Sequence, residues 1–132
     1  MKLYLASFLE PENFGPGRII GIANGSKPDH IQCDKVFLPL IPTNEIMNNY
    51  NSMCVNDPKN AADTFVSTFS EQLDKFATTV LEQAKQEEKT VQDILPFKEG
   101  DTLASWERQA FSNYRTLVGP CLEKLGYEVE IK

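Results

Sequence analysis

GDTLASWERQAFSNYRTLVGPCLEKLGYEVEIK, residues 100–132, is the stretch whose reading decides the fold class. A short apolar run, Thr102 to Trp106, is followed by the charged pair Glu107-Arg108 and a polar loop. A helical pattern opens at Asn113-Tyr114-Arg115 and stops at Gly126, and an alternating run from Tyr127 to Ile131 comes next. Strand, loop, helix and strand in that order make a βαβ unit, with a crossover long enough for parallel pairing. In open α/β sheets, the loop after the first strand of such a unit lies where ligands bind.

Upstream of this unit, Asp57-Pro58 reads as a helix start, with Asp at the cap and Pro at the first helical position. Phe65, Phe69, Leu73, Phe76, Val80 and Ala84 then recur at spacings of four, four, three, four and four. That is a helical stripe, with Glu71, Asp74, Lys75, Glu82 and Lys85 on the opposite side, and core packing accounts for it. Pro42-Thr43-Asn44-Glu45 opens a second helix, with Thr43 at its cap. Leu3 to Phe8 and Arg18 to Ala23 read as strands, and Val36 to Ile41, which contains Pro39, reads as an edge strand or an extended segment. The turn-rich loop between the first two strands contains Gly15-Pro16-Gly17, whose glycine spacing matches neither phosphate-binding fingerprint. The expectation is a single α/β domain over residues 1–132, a small mostly parallel sheet with packed helices, loosely Rossmann-like. Strands are expected near 2–8, 18–23, 102–107 and 127–131, and helices near 43–54, 58–89 and 113–125.

Composition narrows the function. The chain has 132 residues, 41% of them hydrophobic and 24% charged, as in ordinary globular proteins. Most of the net charge of −6 lies in residues 61–100, and no segment is basic, which argues against duplex nucleic acid as a partner. The first apolar run is cut short by Glu10-Pro11, so it does not read as a signal peptide. Nothing approaches the roughly 20 apolar residues of a membrane span. A cytoplasmic protein with no membrane partner is expected. Cys33, Cys54 and Cys121 are odd in number and lack metal-type spacing, and Cys121 falls at an apolar helical position. His30 stands alone in a polar loop. No metal and no cofactor is expected.

The residues able to carry chemistry cluster at the βαβ loop. Glu107 and Arg108 leave the strand, and Asn113, Tyr114 and Arg115 form the first turn of the next helix. Free N–H groups and the positive dipole end there favour an anion, and Arg115 can add bidentate contacts. Arg18 opens the second strand, and Asn24, Ser26 and Lys27 bring small donors and a cation just beyond its end. These nine residues read as a site for a small anionic ligand, a nucleotide or phosphorylated metabolite, in a module that senses or sequesters a nucleotide signal. Under a plainer reading Asn113 or Ser112 caps the helix, and Arg115 pairs with Glu107 or Glu123. Two other functions compete: a small metal-independent enzyme with Glu107 as acid/base, and a homodimeric interaction protein anchored by Tyr50 or Phe14.

Lys2-Leu3-Tyr4, Arg18 to Ala23, Leu38 to Thr43 and the C-terminal third together resemble the uncharacterised YeaO-like family. Members of that family carry a long helix, an apolar strand ending in Glu, a polar loop, a Cys-His-Arg triplet opening a helix, and a final Gly-Tyr-Glu-Val strand. Here the counterparts are Leu103-Ala104-Ser105-Trp106-Glu107, Asn113-Tyr114-Arg115 and Gly126-Tyr127-Glu128-Val129. With Asn113 and Tyr114 in place of Cys and His, the resemblance implies a fold and a site location without thiol or imidazole chemistry.

Overall fold

The structure, a computed structural model, describes residues 1–22, 33–105 and 113–132, with Asn113 and Tyr114 described by their backbone alone. One sheet contains β1 (Lys2–Ser7), β2 (Ile19–Gly21), β3 (Lys35–Val36), β4 (Thr102–Ser105) and β5 (Glu128–Ile131). Their order is β3-β2-β4-β1-β5, and every described pair is parallel. The sheet expected to be mostly parallel is thus parallel throughout its described strands. The first strand of the chain is central, lying between the last two.

Four α-helices accompany it among the described residues: α1 (Asn44–Cys54), α2 (Pro58–Glu87), α3 (Val91–Ile94) and α4 (Asn113–Lys124). The caps read from the sequence form. Thr43 Oγ1 accepts from the Ile46 N–H at 3.3 Å, and Asp57 Oδ1 accepts from the Asn60 N–H at 3.2 Å. The short α3 begins with a capping box between Thr90 and Asp93 that the expected elements did not include. Lys35–Val36 is the strand in the stretch around Pro39, and Leu38-Pro39-Leu40 tightens into a 3-10 turn. Pro39 has no N–H for a ladder, so the strand ends before it.

Alternation along the strands sorts the sheet into two faces. Leu3, Leu5, Ile20, Ile22 and Leu103 pack in one core with Phe65, Phe69, Leu73, Val118 and Leu122 of α2 and α4. Phe69 is fully buried there, and burying such a side chain is worth roughly 1.5–3 kcal/mol. On the other face Phe8 and Ala104 pack with Phe14 and Ile19. The β1–β2 connection covers this second face: the Gly15 N–H donates to Thr102 Oγ1 at 2.7 Å, and Gly15 lies against the Tyr4 ring.

Helix α4 approaches the first face closely at Gly119, where an added Cβ would stand 2.9 Å from Ile131 Cδ1 and 3.6 Å from Leu5 Cδ1. From β1 the chain skips over β4 to reach β2, and from β4 it skips over β1, in the other direction, to reach β5. A constant hand of crossover sends two such connections over opposite faces. The β1–β2 segment and α4 lie accordingly.

Candidate functional site

The connections of neighbouring strands β1 and β4 therefore leave their carboxyl ends for opposite faces, the kind of switch point at which open α/β sheets place their ligand crevice. The adjacent exits are fixed by ladder bonds from Phe8 N–H to Ser105 O and from Ile22 N–H to Ala104 O, both 2.9 Å. The chain thus leaves β1, β2 and β4 side by side.

Ser7 and Ser105 are the last residues of β1 and β4 at this switch point. They are register partners, and both strands end in the same tripeptide: Leu5-Ala6-Ser7 faces Leu103-Ala104-Ser105. By alternation with Leu5 and Leu103, both hydroxyls belong to the helix-covered face. Ser7 is 1% exposed and Ser105 2%, so neither is served by bulk water. Ser7 Oγ accepts from the Leu9 N–H at 3.1 Å. Ser105 Oγ has no hydrogen-bond partner among the described residues. Such a buried, unsatisfied group costs about 1–3 kcal/mol, so its presence calls for a reason.

The first turn of α4 stands at the same end. Gly119 lies over Leu5 and Ile131, and Arg115 is about one turn earlier, toward the carboxyl ends of the strands. There Arg115 Nη1 donates to Lys132 O at 2.5 Å, and the Lys132 N–H donates to Leu5 O at 2.9 Å. Arg115 is thereby tied to the carboxyl end of β5, the edge strand beside β1. The positive end of the α4 dipole favours negative charge at that position.

Arg18, expected among the anion contacts, is at the other end of the sheet. Its Nη2 donates to Asp101 Oδ2 at 2.8 Å and to Pro96 O at 2.7 Å. The Asp101 carboxylate also accepts the N–H groups of Arg18 (3.0 Å) and Lys98 (2.8 Å). Burial alone would raise the Asp101 carboxyl. The hydrogen bonds from the Arg18 side chain and from the Lys98 and Arg18 N–H groups outweigh it and hold the carboxyl below its usual range. The same pair raises Arg18. Arg18 is therefore a structural partner of Asp101, removed from the carboxyl-end crevice because it precedes β2.

Of the other expected residues, Arg115 is in place, and Asn113 and Tyr114 lie on the first turn of α4 by their backbone. Asn24, Ser26, Lys27, Glu107 and Arg108, with His30, lie outside the described residues. The two aromatic residues suggested as partner anchors turn inward. The Tyr50 ring meets Phe65 edge-on at 5.7 Å, and Phe14 packs on Phe8 and Ala104. Cys121 is buried as expected, and burial pushes its thiol up to about 11, which leaves it unreactive. A separate cleft of about 550 Å³ runs between Leu38, Pro39, Pro42 and the α2 residues Gln72 and Phe76. Among the described residues no group of three or more His, Cys, Asp or Glu is arranged to hold a metal, and no helix is long and apolar enough to cross a membrane.

Ser7 and Ser105 were absent from the sequence-derived candidates. The repeated Leu-Ala-Ser at the ends of two apolar runs was the available signal, and it gains meaning only once β1 and β4 are neighbours. No protein-family model, curated protein or solved structure matches this chain. The likeness to the YeaO-like family thus rests on its short motifs, and the site is read from its own geometry.

Proposed function

We propose that this chain is a binding module for a small anionic ligand, a nucleotide or phosphorylated metabolite, held at the carboxyl ends of β1 and β4. One observation supports the reading: α4 begins at the carboxyl-end side of the sheet, with Arg115 on its first turn bonded to Lys132 O beyond β5, at the end of the sheet where the connections of β1 and β4 leave for opposite faces. Helix-terminal N–H groups supply directed donors to an anion, and a guanidinium adds a permanent charge. Asn24, Ser26, Lys27, Glu107 and Arg108 follow β2 and β4 in sequence, and the exits of those strands adjoin the crevice. In this reading Glu107 orients a ligand hydroxyl or amine, and the module senses or sequesters a nucleotide signal in the cytoplasm without turning it over.

The test is a set of melting curves with nucleotides, inorganic phosphate and a neutral nucleoside. The phosphorylated probes are expected to raise the melting temperature of the parent protein. Arg115→Ala should remove most of that rise, while its unliganded melting temperature falls by only a few degrees. Ligand-induced shifts equal to the parent's in Arg115→Ala would take Arg115 out of the site. Mass spectrometry of the incubated nucleotide should show it unchanged, and its conversion would replace the binding module with an enzyme.

A further inference from the structure

The two edges of the sheet are finished differently. At β3 the edge strand is only Lys35 and Val36, and the turn at Leu38-Pro39-Leu40 closes it. Short strands, Lys and Pro are the usual devices by which an edge escapes further pairing. At the other edge β5 runs from Glu128 to Ile131 and contains neither Gly nor Pro. We propose that the outer side of β5 pairs with β5 of a second copy of this chain, antiparallel and about a two-fold axis through Glu130, so that one sheet runs through both copies. Such pairing needs no ligand and goes beyond the anionic-ligand reading.

The ladder to β1 determines which backbone groups are left over. The Glu128 N–H donates to Met1 O at 3.0 Å and the Lys132 N–H donates to Leu5 O at 2.9 Å, with Leu3 and Leu5 opposite Val129 and Ile131. In a parallel pair alternate residues face the partner strand, so Glu128, Glu130 and Lys132 bond β1. Val129 and Ile131 turn their N–H and C=O groups the other way, where no described strand pairs with them. A two-fold axis through Glu130 sets Val129 opposite the partner's Ile131, and the two residues exchange both hydrogen bonds.

The side chains favour the same register. Val129 packs on the helix-covered core, and Ile131, which is 45% exposed, lies on that face beside Gly119. Across the axis they meet as an apolar pair. On the other face Glu128 stands opposite the partner's Lys132, an attractive pair that the symmetry makes twice. Glu130 meets its own counterpart, but each carboxylate is already bridged by Lys2 at 3.4 Å and Lys132 at 3.2 Å. Lys2, Glu128, Glu130 and Lys132 cancel in charge, so this edge does not repel its copy although the chain carries −6. Moving the axis to Val129 would set Glu128 against the partner's Glu130, a repulsive pair. Moving it to Ile131 would separate Val129 from the partner's Ile131.

The experiment is sedimentation equilibrium of the full chain from micromolar to about millimolar protein, because so small an interface gives a weak dimer. Amide hydrogen exchange is followed at both ends of the range. The mass should approach twice that of the chain as concentration rises. The Val129 and Ile131 amides should gain protection with concentration, and the Glu128 and Lys132 amides, already bonded to β1, should change far less. Ile131→Pro removes an outward N–H and spares the bonds to β1, so it should stay folded and monomeric. Glu128→Lys or Lys132→Glu alone turns attraction into repulsion at both symmetric positions and should weaken association at least about tenfold. The double exchange, Glu128→Lys with Lys132→Glu, should restore it.

A chain that stays monomeric at about millimolar concentration would overturn the proposal. A dimer whose Val129 and Ile131 amides exchange as fast as in the monomer would overturn it too, since the contact would then lie elsewhere. If circular dichroism shows Ile131→Pro unfolded, the charge variants decide, and association unchanged in both single variants would remove β5 from the interface. None of these outcomes bears on the anionic-ligand reading, which stands or falls with the melting curves of Arg115→Ala.

Discussion

Strand β4 connects two ends of the sheet that are finished in opposite ways. Before its amino end, the buried Asp101 carboxylate is fully committed to the Arg18 guanidinium and to the N–H groups of Arg18 and Lys98. At its carboxyl end, roughly 13 Å away along the strand, Ser105 buries a hydroxyl with no partner among the described residues. Both side chains are almost wholly hidden from water, so exposure does not separate them. Satisfaction does. The amino end holds the β1–β2 connection against the sheet, and the carboxyl end leaves a buried hydroxyl unsatisfied among the described residues.

If that contrast is right, damage at the amino end should fall on stability, and damage at the carboxyl end on binding. The largest stability loss is expected from Asp101→Ala, about 3 kcal/mol by urea unfolding, because it strands two N–H groups and a guanidinium at once. The cost is set below that of a fully buried pair because Arg18 is 34% exposed and can recover water. A loss under about 1 kcal/mol would erase the distinction between the two ends. Gly17→Ala should follow at about 2 kcal/mol. Its added Cβ would lie 2.7 Å from the Gly100 carbonyl carbon and 2.8 Å from the Asp101 nitrogen, backbone atoms that cannot swing aside.

The smallest of the three effects is in the acid limb of stability. The Asp101 carboxyl is depressed in the folded protein, so its contribution is complete above the ordinary carboxyl value near pH 4 and is lost as pH falls through the depressed one. Below about pH 4 the parent should lose stability more steeply than Asp101→Ala. Parallel limbs would mean that the carboxyl titrates normally.

The sequence made the fold legible where the signal was local. Asp57-Pro58 and Thr43 announce helices because a cap acts within three residues, and the stripe from Phe65 to Ala84 repeats often enough to fix a face. The βαβ unit at residues 100–132 likewise forms, as β4, α4 and the parallel β5. What stayed hidden depended on which strands are neighbours. Arg18 looked like an anion contact because nothing nearby in sequence claimed it, and its carboxylate lies 83 residues away. Ser105 looked like the tail of an apolar run until β1 placed an identical Leu-Ala-Ser beside it. Pro39 was read correctly as a disturbance of the strand, whose outcome is a 3-10 turn just after Phe37, a ring packed against Phe76 and Phe97.

The position of β1 also has a consequence for how the chain reaches this state. Its ladder partners are β4 and β5, contributed by residues 102–105 and 128–131, and β2 is separated from it by β4. A growing chain that has released everything up to Gly100 still offers β1 no strand to pair with. Its apolar residues Leu3 and Leu5 must wait for the final quarter of the polypeptide. Long sequence separation of this kind slows folding, because the loop must close before any contact rewards it. The insertion of β4 between β2 and β1, which completes the centre of the sheet and brings Ser105 alongside Ser7, is accordingly expected to come late in folding.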